Sequence, residues 1–238
     1  MNPKVVAYKI PDFGAEVRLY SDLEALSRAA ADVFVERAVR ALAARGRFSV
    51  ALSGGRTPER TFELLAQSPR RDRVDWDKVH VFWGDERCVP PADPRHNACL
   101  AREAWLDRVP IPEAQVHPII CHESPGEAAL AYEELLRRFF AGREPAFDLV
   151  VLGCGADGHT ASLFPGQPAL AEPERWAVAV PHGAPDGLVR VTLTPVLFNR
   201  ARFVMFLVVG PDKTRILKEV LPPELYDKVI LLMANRPR

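Results

Sequence analysis

The sequence predicts an α/β fold: a doubly wound, mostly parallel sheet with helices on both faces, in one domain over residues 1–238. Three observations carry that expectation. Short, nearly continuous apolar runs, of which Phe147–Leu152 and Phe203–Val209 are the clearest, read as strands buried on both faces. Segments with apolar residues at helical spacing alternate with them along the chain. Several runs stop abruptly in glycine and polar residues, and such sheets bind ligands beyond the carboxyl ends of their strands.

In order, Val5–Tyr8 reads as a first strand. Ser21 and Glu24 form the pattern of a capping box, with Ser21 as the cap, and the helix it opens runs to about Arg45, where Gly46 ends it. Phe48–Leu52 is the next strand and empties into Ser53-Gly54-Gly55-Arg56-Thr57-Pro58. Thr57 suits an N-cap and Pro58 a first helical position, for a helix to about Gln67. Val79–Trp83 is a strand ending in Gly84-Asp85-Glu86-Arg87, followed by a proline-rich loop and a helix over about 97–106. A short strand at Val116–Ile119 and an amphipathic helix over Gly126–Phe140 precede the central run. Beyond it, Trp176–Val180, Leu188–Leu193, Phe203–Val209 and Val229–Met233 read as strands, with a helix from Pro211 to about Leu221.

The formal net charge is zero, so no broad field favours nucleic acid or an anionic membrane, and anion recognition has to be local. Cys88, Cys99, Cys121 and Cys154 are widely spaced with no Cys-x-x-Cys pair, so neither a disulfide framework nor a zinc ribbon is expected. The start MNPKVVAYKIPD carries no apolar core of signal-peptide length, and no stretch is apolar enough to span a bilayer. The expectation is a cytoplasmic protein, a monomer or small homo-oligomer, without a nucleic-acid or membrane partner.

Four strand ends carry polar chemistry: Ser53–Thr57, Asp85–Arg87, Gly153–His159 and Gly210–Lys213. Ser53, Gly54 and Gly55 before a helix start offer free backbone N–H groups and a positive dipole end, which suit a phosphate. The GxxxxGK[ST] spacing is missing and no GxGxxG follows the first strand, so a Rossmann-like sheet is expected without ATP or a dinucleotide. Arg87 supplies a fork of donors for a phosphate or a developing oxyanion. Lys213 at a helix start opposes the dipole, and an anion would satisfy it. Arg190 reads equally as a surface charge on an edge strand or as a ligand contact.

In the central turn, Gly153, Gly155 and Gly158 let the backbone bend sharply and approach a bound molecule. A turn needs no imidazole, so His159 reads as a catalytic general base. Asp157 either orients that ring or holds a substrate hydroxyl. His80, His117, His122 and His182 do not form a cluster, and no His/Cys/Asp group has metal spacing, so neither metal nor cofactor is expected.

Taken together, Ser53–Pro58, Trp83-Gly84-Asp85-Glu86-Arg87-Cys88-Val89, Gly153-Cys154-Gly155-Ala156-Asp157-Gly158-His159-Thr160-Ala161-Ser162-Leu163-Phe164-Pro165 and Arg190–Thr194 resemble the 6-phosphogluconolactonase family over essentially the whole chain. The resemblance implies hydrolysis of a sugar-phosphate lactone, 6-phosphogluconolactone, to 6-phosphogluconate, the second step of the oxidative pentose phosphate pathway, without metal or cofactor. It implies His159 as base, Arg87 on the oxyanion or the phosphate, and Ser53–Gly55, Lys213 and Arg190 toward the phosphate. Asp85 and Asn97 join the expected substrate contacts. The family usually has Ser-Asn after the proline-rich loop where this chain has His96-Asn97, a departure that leaves position 96 without an implied role.

Two rivals follow from the same residues. The related glucosamine-6-phosphate isomerase/deaminase pattern places Asn-Glu-Pro after Asp-Gly-His, and here Ser162-Leu163-Phe164-Pro165 supplies no acid. A sugar-phosphate sensor in a transcriptional regulator needs a helix-turn-helix segment, for which the chain before the first long helix is too short.

Overall fold

The computed structural model describes residues 6–10, 15–121, 124–182, 184, 186–220 and 229–235. It begins with strands β1 (Val6–Ile10) and β2 (Ala15–Tyr20), helix α1 (Leu23–Arg45), β3 (Phe48–Leu52) and α2 (Arg56–Leu65). Next come β4 (Val79–Trp83), β5 (Asp85–Arg87), α3 (Asn97–Ala104), β6 (Val116–His117) and α4 (Pro125–Phe139). The remainder is β7 (Leu149–Leu152), β8 (Ala177–Val180), β9 (Arg190–Leu193), α5 (Pro195–Phe198), β10 (Phe203–Val208), α6 (Thr214–Val220) and β11 (Val229–Asn235).

The main sheet runs in the order β1-β2-β11-β10-β7-β3-β4-β6. Its β10-β7-β3-β4-β6 half is parallel, and β1, β2 and β11 extend it antiparallel. Strands β3 and β7 are buried at every position because helices or the small second sheet cover both sides, which is why they read as continuous apolar runs. Alternation along the pleat sends Phe48 to one face and Phe82 to the other. Phe48 meets Phe34 of α1 edge-on at 5.3 Å, and Trp105 closes that layer against Phe34 and Phe62. Phe82 meets Phe139 of α4 at 4.8 Å. The Tyr132 hydroxyl of α4 accepts the Trp83 N–H and donates to the Trp83 carbonyl, pinning the helix to the end of β4.

From β3 the chain moves outward to β4 and β6, then returns by α4 to β7 on the other side of β3 and continues to β10. The direction of winding therefore reverses between β3 and β7, and the crevice such a reversal opens lies beyond their carboxyl ends. Strands β5, β9 and β8 form a separate antiparallel sheet. Gly84 joins the two sheets: its N–H donates to Leu52 O of β3 and its carbonyl accepts Leu193 N–H of β9.

Several sequence expectations are corrected. The cap of α1 is Asp22, whose Oδ1 accepts the Ala25 N–H at 2.8 Å, while Ser21 donates to the same carboxylate. A charged oxygen at the positive end of a helix outcompetes a hydroxyl. Thr57 does not cap α2: the helix starts at Arg56 after Gly55, whose φ of 91° makes the entry turn, and Pro58, lacking an N–H, sits within the first turn at no cost. Asp85–Arg87, expected as a junction at the end of Val79–Trp83, is itself a strand. Cys88 and Cys121 are joined in a disulfide, contrary to the expectation from spacing; the first follows β5 of the small sheet and the second lies beyond β6 of the main sheet. Strand β2 went unread, and His122 and the expected helix end at Leu221 lie outside the described residues. No helix among the described residues is long and apolar enough to cross a membrane.

Candidate active site

A cavity of about 260 Å3 opens at the reversal between β3 and β7. Ser53, Gly54, Gly55 and Thr57 line it from the head of α2, Asp85 and Arg87 from β5, and Asn97 from the head of α3. Gly155 and His159 line it from the turn after β7, Arg190 from β9, and Lys213 from the turn after β10. Asp157 and Gly158 are not in its wall and bear on it through the turn. Gly158 adopts a φ of 89°, which brings the chain back toward β7.

The turn after β7 exists to hold one pair of side chains. His159 Nδ1 lies 2.6 Å from Asp157 Oδ1, and the His159 backbone N–H donates to the same oxygen at 3.2 Å. Partial burial works to raise the Asp157 carboxyl, but these hydrogen bonds outweigh it and hold the group below its ordinary range. An ionised Asp157 accepts only, so Nδ1 carries the proton and Nε2 is left as the basic nitrogen. Residue 155 must be glycine, since a Cβ there would land on His159 Nδ1 and Asp157 Oδ1. The ring is not as bare as a glycine-rich turn suggests: Phe164 packs on it with centroids 4.5 Å apart, and only a quarter of the side chain is exposed. Phe164 and its neighbour Ser162 reach this position because Ala161 takes a φ of 49° and reverses the chain.

Two guanidinium groups enter the cavity with unspent donors. Arg87 donates from Nη1 to the Arg95 carbonyl at 2.6 Å, and its buried Nε has no partner. Arg190 is 6% exposed, on the middle strand of the small sheet, which overturns the surface-charge reading. It pairs with Asp186 through Nη2 and stands 3.7 Å from Asp85 Oδ2 through Nη1, and its buried Nε is likewise unpartnered. Lys213 has a protein partner that the sequence did not suggest, Asp212 at 2.6 Å, and still borders the cavity.

Some contributors were not singled out from sequence. Arg56 also lines the cavity, and its position beside Gly54-Gly55 at a helix start was the available signal. Ser162 Oγ donates to Asp85 Oδ2 at 2.6 Å, fixing that carboxylate, but 77 positions separate the two and no local pattern reveals the pairing. The backbone N–H groups of Gly155 and Gly158 are spent within the turn on His159 O and Gly155 O and are not free to meet an oxyanion. The N–H groups of the first turn of α2 have no intrahelical acceptor, and no side chain caps that end. Among the described residues, no three His, Cys, Asp or Glu side chains gather as a metal site.

Residues 21–229 match the family model described as glucosamine-6-phosphate isomerases/6-phosphogluconolactonase. A 6-phosphogluconolactonase of Synechocystis is 48% identical over 192 residues, covering 79% of this chain and 77% of its own. One from Streptomyces coelicolor is 38% identical, covering 82% and 78%. Among solved structures, 6-phosphogluconolactonase from Trypanosoma cruzi superposes with a TM-score of 0.75 at 31% identity, covering 87% of this chain and 86% of that one. The Thermotoga maritima 6-phosphogluconolactonase gives 0.74 at 28% identity, covering 82% and 85%.

Proposed function

The chain belongs to the glucosamine-6-phosphate isomerase/6-phosphogluconolactonase family, and from that membership and the crevice we propose that it hydrolyses 6-phospho-D-glucono-1,5-lactone to 6-phospho-D-gluconate. The observation that carries the proposal is that an imidazole oriented by a carboxylate borders the same small cavity as the uncapped head of α2 and a set of cationic side chains.

A lactone is a cyclic ester, so water attacks C1, the carbonyl oxygen gains charge, and the C1–O5 bond breaks. His159 Nε2 takes a proton from the attacking water, forming the new C1–O bond. Asp157 holds the ring in the required tautomer and stabilises the imidazolium. The Arg87 guanidinium borders the cavity and faces the developing oxyanion. As the tetrahedral intermediate collapses, the electron pair of C1–O5 moves to the ring oxygen, and His159 returns its proton there. The phosphate sits against the Ser53–Gly55 loop, the first-turn N–H groups of α2, Arg56 and Lys213, and its capture places C1 over the base. Arg190 lies over Phe164 at 5.8 Å and offsets part of the Asp85 and Asp186 charge on that side of the cavity.

The test follows lactone opening by acid release against the spontaneous background. The wild type should accelerate it strongly, and His159→Ala should return it close to background. Unchanged turnover in His159→Ala removes the general-base assignment. A wild type that leaves the lactone at background but releases ammonia from glucosamine 6-phosphate would move the chain to the isomerase side of its family.

A further inference from the structure

Resting on the lactone reading above, we propose that Glu86 is a positioning residue for that reaction, a buried carboxyl group that locks Arg87 and Asn97 into one rigid unit at the crevice. It lies between two acknowledged site residues in sequence, yet its side chain is fully buried and never borders the cavity.

Its oxygens are committed to three backbone donors. Oε1 accepts the N–H of Arg87 at 2.8 Å and of Asn97 at 2.7 Å, and Oε2 accepts that of Ala98 at 2.9 Å. The last two open α3, whose own cap residue, His96, makes no side-chain capping bond. Glu86 therefore caps the helix from a different element, and the same carboxylate grips the backbone of the residue that carries the oxyanion guanidinium. Two further links close the unit. Asn97 Nδ2 donates to the Asp85 carbonyl at 2.9 Å, and Arg87 Nη1 donates to the Arg95 carbonyl at 2.6 Å. Asn97 Oδ1 in turn occupies the space beside Gly54 where a Cβ would stand, so the head of α3 sets the Ser53–Gly55 loop. One carboxylate thus fixes the distance between the proposed oxyanion donor and the proposed phosphate loop.

An ordinary helix cap does not need this burial. A carboxylate moved wholly out of water is costly, and a serine or aspartate on the helix itself would satisfy the same N–H groups at the surface. What the buried group adds is the bond to Arg87. The groups facing it are Asp85 and Arg87 on its own strand, His96 with Nδ1 3.1 Å from Oε2, Cys99 in α3 and Tyr132 in α4. Burial pushes the Glu86 carboxyl up to about 8 against the pull of its three N–H donors. Ionisation on the alkaline side then strains the unit, so kcat/KM should decline as pH rises through that region.

The experiment compares kcat, KM and their pH profiles for wild type, Glu86→Ala, Glu86→Gln and Asp148→Asn, with calorimetric binding of inorganic phosphate alongside. Asp148→Asn is the control: it neutralises another buried carboxylate that accepts a backbone N–H, at the opposite end of the sheet. Glu86→Ala should lower kcat/KM by roughly tenfold to a hundredfold, the scale of a misplacement of about 1 Å, and should weaken phosphate binding. Glu86→Gln keeps the acceptor for Arg87 and Asn97, so it should recover most of the activity while losing the alkaline decline. Asp148→Asn should lose stability with wild-type kcat/KM and pH profile. The proposal falls if Glu86→Ala stays within twofold of wild type, or if the Glu86→Gln profile superimposes on wild type. Should Glu86→Ala not fold, the Gln profile decides alone. A wild type inactive on the lactone refutes the lactone reading, and the ordering of phosphate affinities then judges Glu86 by itself.

Discussion

Arginines gather at both ends of the parallel strands, and the two ends use them differently. At the amino end, Asp148 before β7 is 6% exposed and accepts the Ser49 N–H at 2.8 Å, the Ser49 hydroxyl at 3.0 Å and two donors of Arg45 at 2.9 and 2.6 Å, with Arg202 at 3.7 Å. That carboxylate ties the starts of β3 and β7 together and leaves none of its bonding capacity for a ligand. At the carboxyl end, Arg87 and Arg190 keep buried Nε–H groups that no protein atom accepts, and they border a cavity. Residue type does not separate structure from chemistry in this chain. Whether the donors are spent does.

That contrast can be broken in three ways. The largest effect is expected at the carboxyl end: Arg87→Ala should lower kcat by ~10²–10³, as loss of an oxyanion donor does, with little change in the urea midpoint. A loss of stability without loss of turnover would reverse the assignment of the two ends. At the amino end, Asp148→Asn should cost about 1–3 kcal/mol of folding stability, measured by urea titration, because the Arg45 and Ser49 donors lose a charged acceptor. The third effect concerns pH. The Glu86 carboxyl is raised from the ordinary 4.5 to about 8 in the fold, so its contribution to stability is complete below 4.5 and is lost as pH rises through about 8. Thermal melts between pH 5 and 9 should show that decline in the wild type and a flatter line in Glu86→Gln. Parallel slopes would mean that the buried group does not titrate.

The parts of the molecule that the sequence disclosed are those built from neighbours in the chain. The apolar runs of β3 and β7 are buried on both faces, so composition alone marks them, while β10 is only partly buried at Val204 and Phe206. Gly155 accompanies the residues whose side chains it makes room for, and the Asp157–His159 pair is local. What escaped reading was assembled across distance. The strand character of Asp85–Arg87 depends on β9, about a hundred residues on, and a three-residue charged segment has no periodicity of its own. The Cys88–Cys121 link and the Ser162–Asp85 bond likewise join segments that only the folded sheet brings together. Choosing Ser21 over Asp22 as the cap of α1 failed for another reason. Both residues are good caps, and the choice turns on a charge–dipole difference too small for a pattern to register.

The contact between Gly54 and Asn97 bears on how such a site can diverge. A side chain at 54 and the amide oxygen at 97 compete for one volume, so the two positions amount to a single steric decision written in two distant codons. Any lineage enlarging residue 54 must shorten residue 97 in the same step or pass through a form whose loop is displaced. Variation at these two sites should therefore be paired rather than independent.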